Sequence, residues 1–139
     1  MVDLRRDFHL PDDDIQYLDN LGLGWEAIQD GNERAVVLHG FPMPPPFQPE
    51  KLNLKIKLPR DYTSGAALDM FFTDRHVTRS DGKAIERLTE SGQFDNKKWW
   101  QWSRHYPKTT KWRPGVNTLA THISYVQHIL IQEGGGRTW

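Results

Sequence analysis

Cysteine is absent from this sequence of 139 residues. The absence excludes disulfide bonds, thiolate metal ligands and cysteine nucleophiles together. Six histidines remain as possible metal ligands, but none of them forms an HExxH or similar pair. We therefore predict no metal site and no cofactor, and any covalent chemistry must use nitrogen or oxygen groups.

Long apolar runs and an excess of one charge are also missing. Eighteen basic residues balance eighteen acidic ones, so the net charge indicates no particular partner. No stretch approaches the roughly 18 apolar residues of a membrane span, and the first residues lack the apolar centre of a signal peptide. We expect one cytoplasmic domain over residues 1–139, with flexible tails at 1–9 and 134–139.

Hydrophobic periodicity predicts an α+β fold in which an antiparallel sheet lies against two helices. Pro11 and the three aspartates after it indicate the start of a short helix over residues 11–21. Apolar residues at three- and four-residue spacings predict a second helix over residues 116–132. Between the helices we predict a meander of four strands, at residues 25–28, 34–41, 51–58 and 66–72.

The third predicted strand has the clearest pattern, because residues 51–58 alternate between polar and apolar side chains. The face with leucine and isoleucine is predicted to be buried. The opposite face is predicted to be solvated and carries Lys51, Asn53, Lys55 and Lys57. A DGN sequence at 30–32 predicts a tight hairpin between the first two strands.

The periodicity disappears between residues 73 and 96. We predict one long irregular loop there, interrupted by a short helix at 84–88. A loop of this length inside a compact domain is often functional.

The segment 97–113 combines six basic residues with five aromatic rings and contains no acidic residue. Three interpretations fit this composition. The rings can stack on single-stranded nucleic acid, fill a core beside solvated lysines, or form a protein-docking surface.

The order of helix, strands, loop and helix resembles the ubiquitin-conjugating (E2) fold. PRDY (59–62) resembles the P-x-x-Y-P turn of that fold without its second proline, and WRP (112–114) resembles the W-S-P sequence before its second helix. The closer resemblance is to prokaryotic E2 family E. It is carried by YLD (17–19), LHGFP (38–42), LDMF (68–71), WSRH (102–105) and WRPGV (112–116).

The resemblance to family E implies a setting and a set of partners. Members are encoded beside E1-like adenylating enzymes, JAB-type isopeptidases and ubiquitin-like or multi-ubiquitin proteins, in gene sets suspected of antiphage roles. The implied contacts with an E1-like enzyme are the first helix and the loop at 42–47, with Phe41, Pro44 and Phe47. The implied contact with a ubiquitin-like protein is the sheet face that carries Lys55.

The same resemblance favours docking over nucleic-acid binding for the segment 97–113. The residues predicted to contact a partner there are Trp99, Trp100, Trp102 and Arg104.

One departure from the E2 pattern concerns the catalytic residue. The His-Pro-Asn sequence of E2 proteins is absent from HVTRSDGKAI (76–85), and Ile85 or Glu86 stands at the position of the cysteine. Three modes of action remain: docking without catalysis, acyl transfer through histidine, and an ester on a hydroxyl group, which would be a poor acyl donor. Docking without catalysis is the first hypothesis, and acyl transfer through histidine is the second.

For histidine-dependent acyl transfer, the sequence favours His105. It lies between aromatic residues that can bury it and next to Arg104, a cation that can tune it. His76 on the predicted loop and Asp81 in an Asp-Gly turn are the predicted assisting groups. A purely structural role is the alternative for each of the three.

Two further ionisable side chains receive structural interpretations. Asp69 lies in the fourth predicted strand and is expected to face solvent, because a buried carboxylate would need a partner. His122 lies on the second predicted helix, where it could face the long loop, but a structural role is favoured.

Overall fold

The structure is a computed structural model that describes residues 4–62, 66–114 and 116–135. Its helices are α1 (Asp12–Asn20) and α2 (Leu119–Glu133). Its strands are β1 (Trp25–Asp30), β2 (Glu33–Pro42), β3 (Phe47–Gln48), β4 (Lys51–Leu58), β5 (Phe71–Thr73), β6 (Thr78–Arg79), β7 (Leu88–Phe94) and β8 (Lys97–Trp102). Within the described ranges, no helix has the length and hydrophobicity that crossing a bilayer requires.

Six strands form one antiparallel sheet in the order β1-β2-β4-β5-β8-β7. The short strands β3 and β6 pair separately. The β1–β2 hairpin lies where the DGN sequence predicts it, since Asp30 pairs with Glu33 and Gly31 adopts a φ of 60°.

The α+β prediction is confirmed, and both predicted helices are present, although α2 begins at residue 119 rather than 116. The four predicted strands correspond to β1, β2, β4 and β5, which are consecutive neighbours in the sheet. The predicted count of four is wrong, because the β7–β8 hairpin extends the sheet. The fourth predicted strand (66–72) is also too long, since Met70 has a φ of 57° and the strand begins only at Phe71.

The predicted irregular loop at 73–96 contains β6 and β7, and residues 84–88 are not helical. β7 has no apolar alternation because its central residues are all exposed at the edge of the sheet. Asp95 and Asn96 close the hairpin with φ values of 56° and 60°, a conformation that these two residue types tolerate better than most.

The main core lies between the two helices and one face of the sheet. The predicted buried face of β4 is confirmed, because its four apolar side chains are at most 5% exposed. Trp102 on β8 is fully buried, and its ring stacks on Phe71 at a centroid distance of 5.1 Å. Its indole N–H donates to Thr73 Oγ1 at 3.1 Å, so burial leaves no unpaired donor there.

The opposite face of the sheet carries a second apolar cluster, which corrects the prediction for Lys55. Its side chain is 4% exposed rather than solvated. The ammonium group lies 4.4 Å from the ring centroids of both Phe72 and Phe94, and it donates to Glu33 Oε2 at 2.8 Å. Burial lowers the pKa of Lys55. The alternation in β4 therefore predicts the two faces correctly but assigns solvent to a face that aromatic residues of β5, β7 and β8 cover.

Asp14 joins both helices to the loop after β4. This aspartate of α1 is 1% exposed and accepts hydrogen bonds from Tyr62 Oη at 2.7 Å and from the Leu119 backbone N–H at 3.3 Å. Leu119 is the first residue of α2, so the carboxylate lies at the positive end of that helix. Burial raises the pKa of Asp14.

Part of the predicted N-terminal tail is held against β1. The backbone of Arg5 and Asp7 exchanges hydrogen bonds of 2.9 and 2.8 Å with Ala27. Arg5 Nε also donates to Glu26 Oε2 at 2.7 Å. The tail predicted at 134–139 begins with Gly134 beside Pro45, and residues 136–139 lie outside the described residues.

The burial of Lys55 gives a stability prediction. We expect Lys55→Met to change the free energy of unfolding by less than about 1.5 kcal/mol, because it keeps the packed stem and removes a costly buried charge. Lys55→Ala should lower it by about 2–4 kcal/mol, since the lost side chain leaves a cavity. Urea unfolding monitored by tryptophan fluorescence measures both values.

Lys57 provides the matched control, because it lies two residues further along the same strand and is exposed. Lys57→Ala should change the free energy of unfolding by no more than about 0.5 kcal/mol. Equal effects of alanine at positions 55 and 57 would contradict the buried environment of Lys55.

Candidate functional site

The pairing of β5 with β8 brings Asp69 and His105 together. Phe71 at the start of β5 faces Trp102 at the end of β8 in antiparallel register. The residues before β5 and those after β8 therefore leave the sheet side by side, at the same end of the two strands. There, Asp69 Oδ2 lies 2.6 Å from His105 Nδ1.

This pair is open to solvent. The side chains of His105 and Asp69 are 56% and 46% exposed, so the expectation for Asp69 is confirmed, and the neighbouring aromatic residues do not bury His105. Both line a cavity of about 460 Å³. His105 also lines a second cavity of about 230 Å³, together with Arg87, Tyr125 and Glu133.

The contact between the two side chains determines which imidazole nitrogen is free. A carboxylate can only accept a hydrogen bond, so Nδ1 of His105 carries the proton that points to Asp69. The lone pair of the neutral ring then lies on Nε2. Nucleophilic and general-base histidines use this arrangement, in which a carboxylate orients the ring.

Two tyrosines, Tyr106 and Tyr125, lie next to the Asp69–His105 pair. Tyr125 Oη, on α2, donates to the carbonyl oxygen of His105 at 2.8 Å. The rings of Tyr106 and Tyr125 stack at a centroid distance of 4.1 Å. Burial raises the pKa of both phenols, so they act here as neutral hydrogen-bonding groups.

The position of His122 agrees with the structural role that the sequence favours. It is 0% exposed on α2 and does not face the loop. Its Nδ1 lies 2.7 Å from Tyr106 Oη, and its Nε2 lies 2.7 Å from the carbonyl oxygen of Met70.

The predicted assisting residues have partners other than His105. The exposed ring of His76 lies 5.9 Å from the ring of Trp100. Asp81 accepts two hydrogen bonds from Arg79, at 2.9 and 2.7 Å, and these lower its pKa to about 2. A carboxylate that acidic is a weak general base, which argues against the role predicted for Asp81.

Most of the residues predicted at 97–113 for partner contact are buried. Trp99 and Trp102 are 2% and 0% exposed, and Trp100 is half-buried. Arg104 is 7% exposed and forms two hydrogen bonds with the carboxylate of Glu133. Stacking on single-stranded nucleic acid needs exposed rings, so the structure favours the interpretation of this segment as core aromatics.

Phe41 and Phe47 are also buried, at 1% and 2% exposure, whereas Pro44 is half-buried. Phe41 and Pro44 line an apolar groove of about 340 Å³ between the proline-rich loop at 42–47 and α2. Ile131 on α2, which is 36% exposed, forms part of the opposite wall.

The sequence pattern did not reveal the partnership of Asp69 with His105, since it spans 36 positions and depends on a strand that was not predicted. One signal was present, because KKWWQW (97–102) is rich in residues that favour strands. Recognition of that strand would have suggested its pairing with β5.

No group of three or more histidine, aspartate or glutamate side chains in the described ranges is arranged to hold a metal ion.

Comparison with known proteins supplies the family. The family model described as prokaryotic E2 family E matches residues 10–133, which confirms the resemblance inferred from the motifs. Neither a curated protein nor a solved structure matches the chain. Since the family model spans both helices, the whole sheet and the Asp69–His105 pair, the chain belongs to prokaryotic E2 family E.

Proposed function

We propose that this E2-family chain acts in a bacterial conjugation-like pathway, where it binds an E1-like adenylating enzyme, a ubiquitin-like protein, or both. The observation that carries the proposal is a family match over residues 10–133 in a chain that contains no cysteine. Without a thiolate, the E2 domain is restricted to binding or to chemistry at nitrogen or oxygen. An antiphage role belongs to the same proposal and rests on the family alone.

The groove beside the proline-rich loop is the proposed contact for the E1-like enzyme. Its walls are apolar and include an exposed isoleucine, Ile131. Apolar side chains at the centre of an interface contribute much of its binding energy. The groove also adjoins the loop at 42–47, where the family resemblance places this contact.

The ubiquitin-like protein is assigned to the sheet face that carries Lys55, on the side opposite the helices. Lys55 cannot contact it directly, because its side chain is enclosed by aromatic rings. Lys51 and Lys57 remain exposed on the same strand and can attract an acidic surface.

A second candidate function is acyl transfer through His105, and the 2.6 Å contact with Asp69 favours it. The Nε2 lone pair would attack the carbonyl carbon of a C-terminal thioester or acyl adenylate. A C–N bond forms while the bond to sulfur or to the phosphate oxygen breaks, and the thiolate or AMP departs. The resulting acyl-imidazolium keeps its Nδ1 proton, and the Asp69 carboxylate balances its charge.

The second half of the reaction regenerates the histidine. A neutral amine attacks the same carbonyl carbon, the C–N bond to the ring breaks, and its electron pair returns to Nε2. The amine proton is lost to water. An acyl-imidazole is reactive enough for this step, whereas an ester on a serine would be a poor donor.

Docking predicts a position-specific effect of charge in the groove. Ile131→Glu should weaken binding to the E1-like enzyme about tenfold or more, because it places a carboxylate in an apolar contact. Val116→Glu is the matched control. Val116 is 68% exposed and lies just before the N-terminus of α2, whereas Ile131 lies near its C-terminus. Biolayer interferometry with the immobilised E1-like enzyme measures both dissociation constants. Equal affinities of the two variants would contradict the groove as the contact.

Acyl transfer predicts a covalent adduct on His105. Incubation with the E1-like enzyme, ATP and the ubiquitin-like protein should give a hydroxylamine-sensitive adduct on a non-reducing gel. The adduct should be lost in His105→Ala and reduced about tenfold or more in Asp69→Asn, which no longer orients the ring as a carboxylate does.

His128→Ala is the control for this assay, because His128 is an exposed histidine of α2 outside the cavities at the pair. It should form the adduct at the wild-type yield. Co-elution of the three proteins without any adduct would contradict acyl transfer and support docking alone.

A further inference from the structure

His122 is a buried imidazole to which neither proposed function assigns a role. It is 0% exposed and lies on α2 among the apolar residues of the main core. A buried polar side chain is costly unless its donors and acceptors are paired. Both nitrogens of His122 are paired at 2.7 Å, one with Tyr106 and the other with Met70.

The direction of each hydrogen bond follows from the partners. The carbonyl oxygen of Met70 can only accept, so Nε2 of His122 carries the proton. Nδ1 is then the acceptor, and the hydroxyl group of Tyr106 donates to it. Burial lowers the pKa of His122, which keeps the ring in this neutral form.

Each partner of His122 is the chain neighbour of one member of the exposed pair. Met70 directly follows Asp69, and its φ of 57° lies in the left-handed region that residues other than glycine rarely adopt. The backbone turns at this residue, immediately before β5. The hydrogen bond to the Met70 carbonyl therefore fixes the direction in which Asp69 leaves the sheet.

Tyr106 directly follows His105 and is fixed from two sides. Its hydroxyl group donates to His122, and its ring stacks on Tyr125 at 4.1 Å. Tyr125 in turn donates to the carbonyl oxygen of His105 at 2.8 Å. The backbone of His105 is thereby tied to α2, although the imidazole itself is exposed.

We propose that His122 is a positioning residue that orients both Asp69 and His105 through their chain neighbours. The proposal rests on acyl transfer through His105 for its functional meaning. The orientation of the two side chains by His122 does not depend on any partner protein. Two exposed side chains would otherwise sample several rotamers, and a paired core residue that fixes both backbones reduces this freedom.

The tautomer of His105 provides a test that needs no other protein. Two-bond ¹H–¹⁵N correlation spectra, recorded where the ring is neutral, show which nitrogen carries the proton. In the wild type we expect the Nδ1–H form, held by Asp69, although a free imidazole in water favours Nε2–H. In His122→Leu and in Tyr106→Phe, the population should shift toward Nε2–H.

A second measurement reports the accessibility and nucleophilicity of His105. Diethyl pyrocarbonate acylates imidazole nitrogens, and peptide mass spectrometry gives the rate at each histidine. The rate at His105, normalised to that at exposed His128, should fall about threefold or more in both variants as the oriented Nε2 lone pair is lost.

Tyr106→Phe keeps the assay informative if His122→Leu does not fold, because it removes one hydroxyl group from a half-buried ring. Ile123→Ala is the matched control. Ile123 is 0% exposed on the same helix, so its truncation destabilises the core without touching the network. It should leave the tautomer and the normalised rate at His105 unchanged.

Two results would overturn the positioning role. One is an unchanged His105 tautomer in a folded His122→Leu or Tyr106→Phe variant. The other is an equal shift in Ile123→Ala, which would mean that loss of core stability alone explains the effect. Absence of a covalent adduct in the conjugation assay would instead contradict acyl transfer and leave the spectroscopic result standing.

Discussion

The arrangement of the whole site depends on three residue pairs in the middle of the sheet. β5 and β8 meet at Phe71–Thr73 and Trp100–Trp102, and buried Trp102 fills the space beneath that contact. This pairing joins the first four strands of the sheet to the β7–β8 hairpin and sets Asp69 beside His105. The polar pair is exposed, but its geometry comes from an aromatic core that excludes water.

Periodicity predicted the elements that depend on residues close in sequence, and it failed where the contacting residues are far apart in sequence. The helices, the β1–β2 hairpin and the core face of β4 follow from local spacing and turn residues. β7 was missed because an exposed edge strand needs no apolar alternation. Lys55 was assigned to solvent because the rings that enclose it come from β5 and β7. The site was predicted in part: His105 was identified, but its partner depends on the unpredicted strand β8.

The absence of cysteine changes what an E2 domain must provide. A thiolate is nucleophilic with little help, whereas an imidazole needs its proton on the far nitrogen and its ring held in place. The pair supplies the first requirement through a carboxylate. The tyrosines and His122 supply the second through hydrogen bonds that reach into the core. Docking alone would require neither, so this network is the part of the structure that distinguishes the two proposed functions.

The enclosure of Lys55 has a chemical consequence for a protein that would work beside activated carboxyl groups. Its amine lies between the rings of Phe72 and Phe94 and is bonded to Glu33, so an incoming acyl donor has no path to the nitrogen. Lys51 and Lys57 on the same strand have no such shield. Acylation of this protein's own lysines on β4 would therefore occur at Lys51 and Lys57, near the two ends of the strand, and not at Lys55 in its centre.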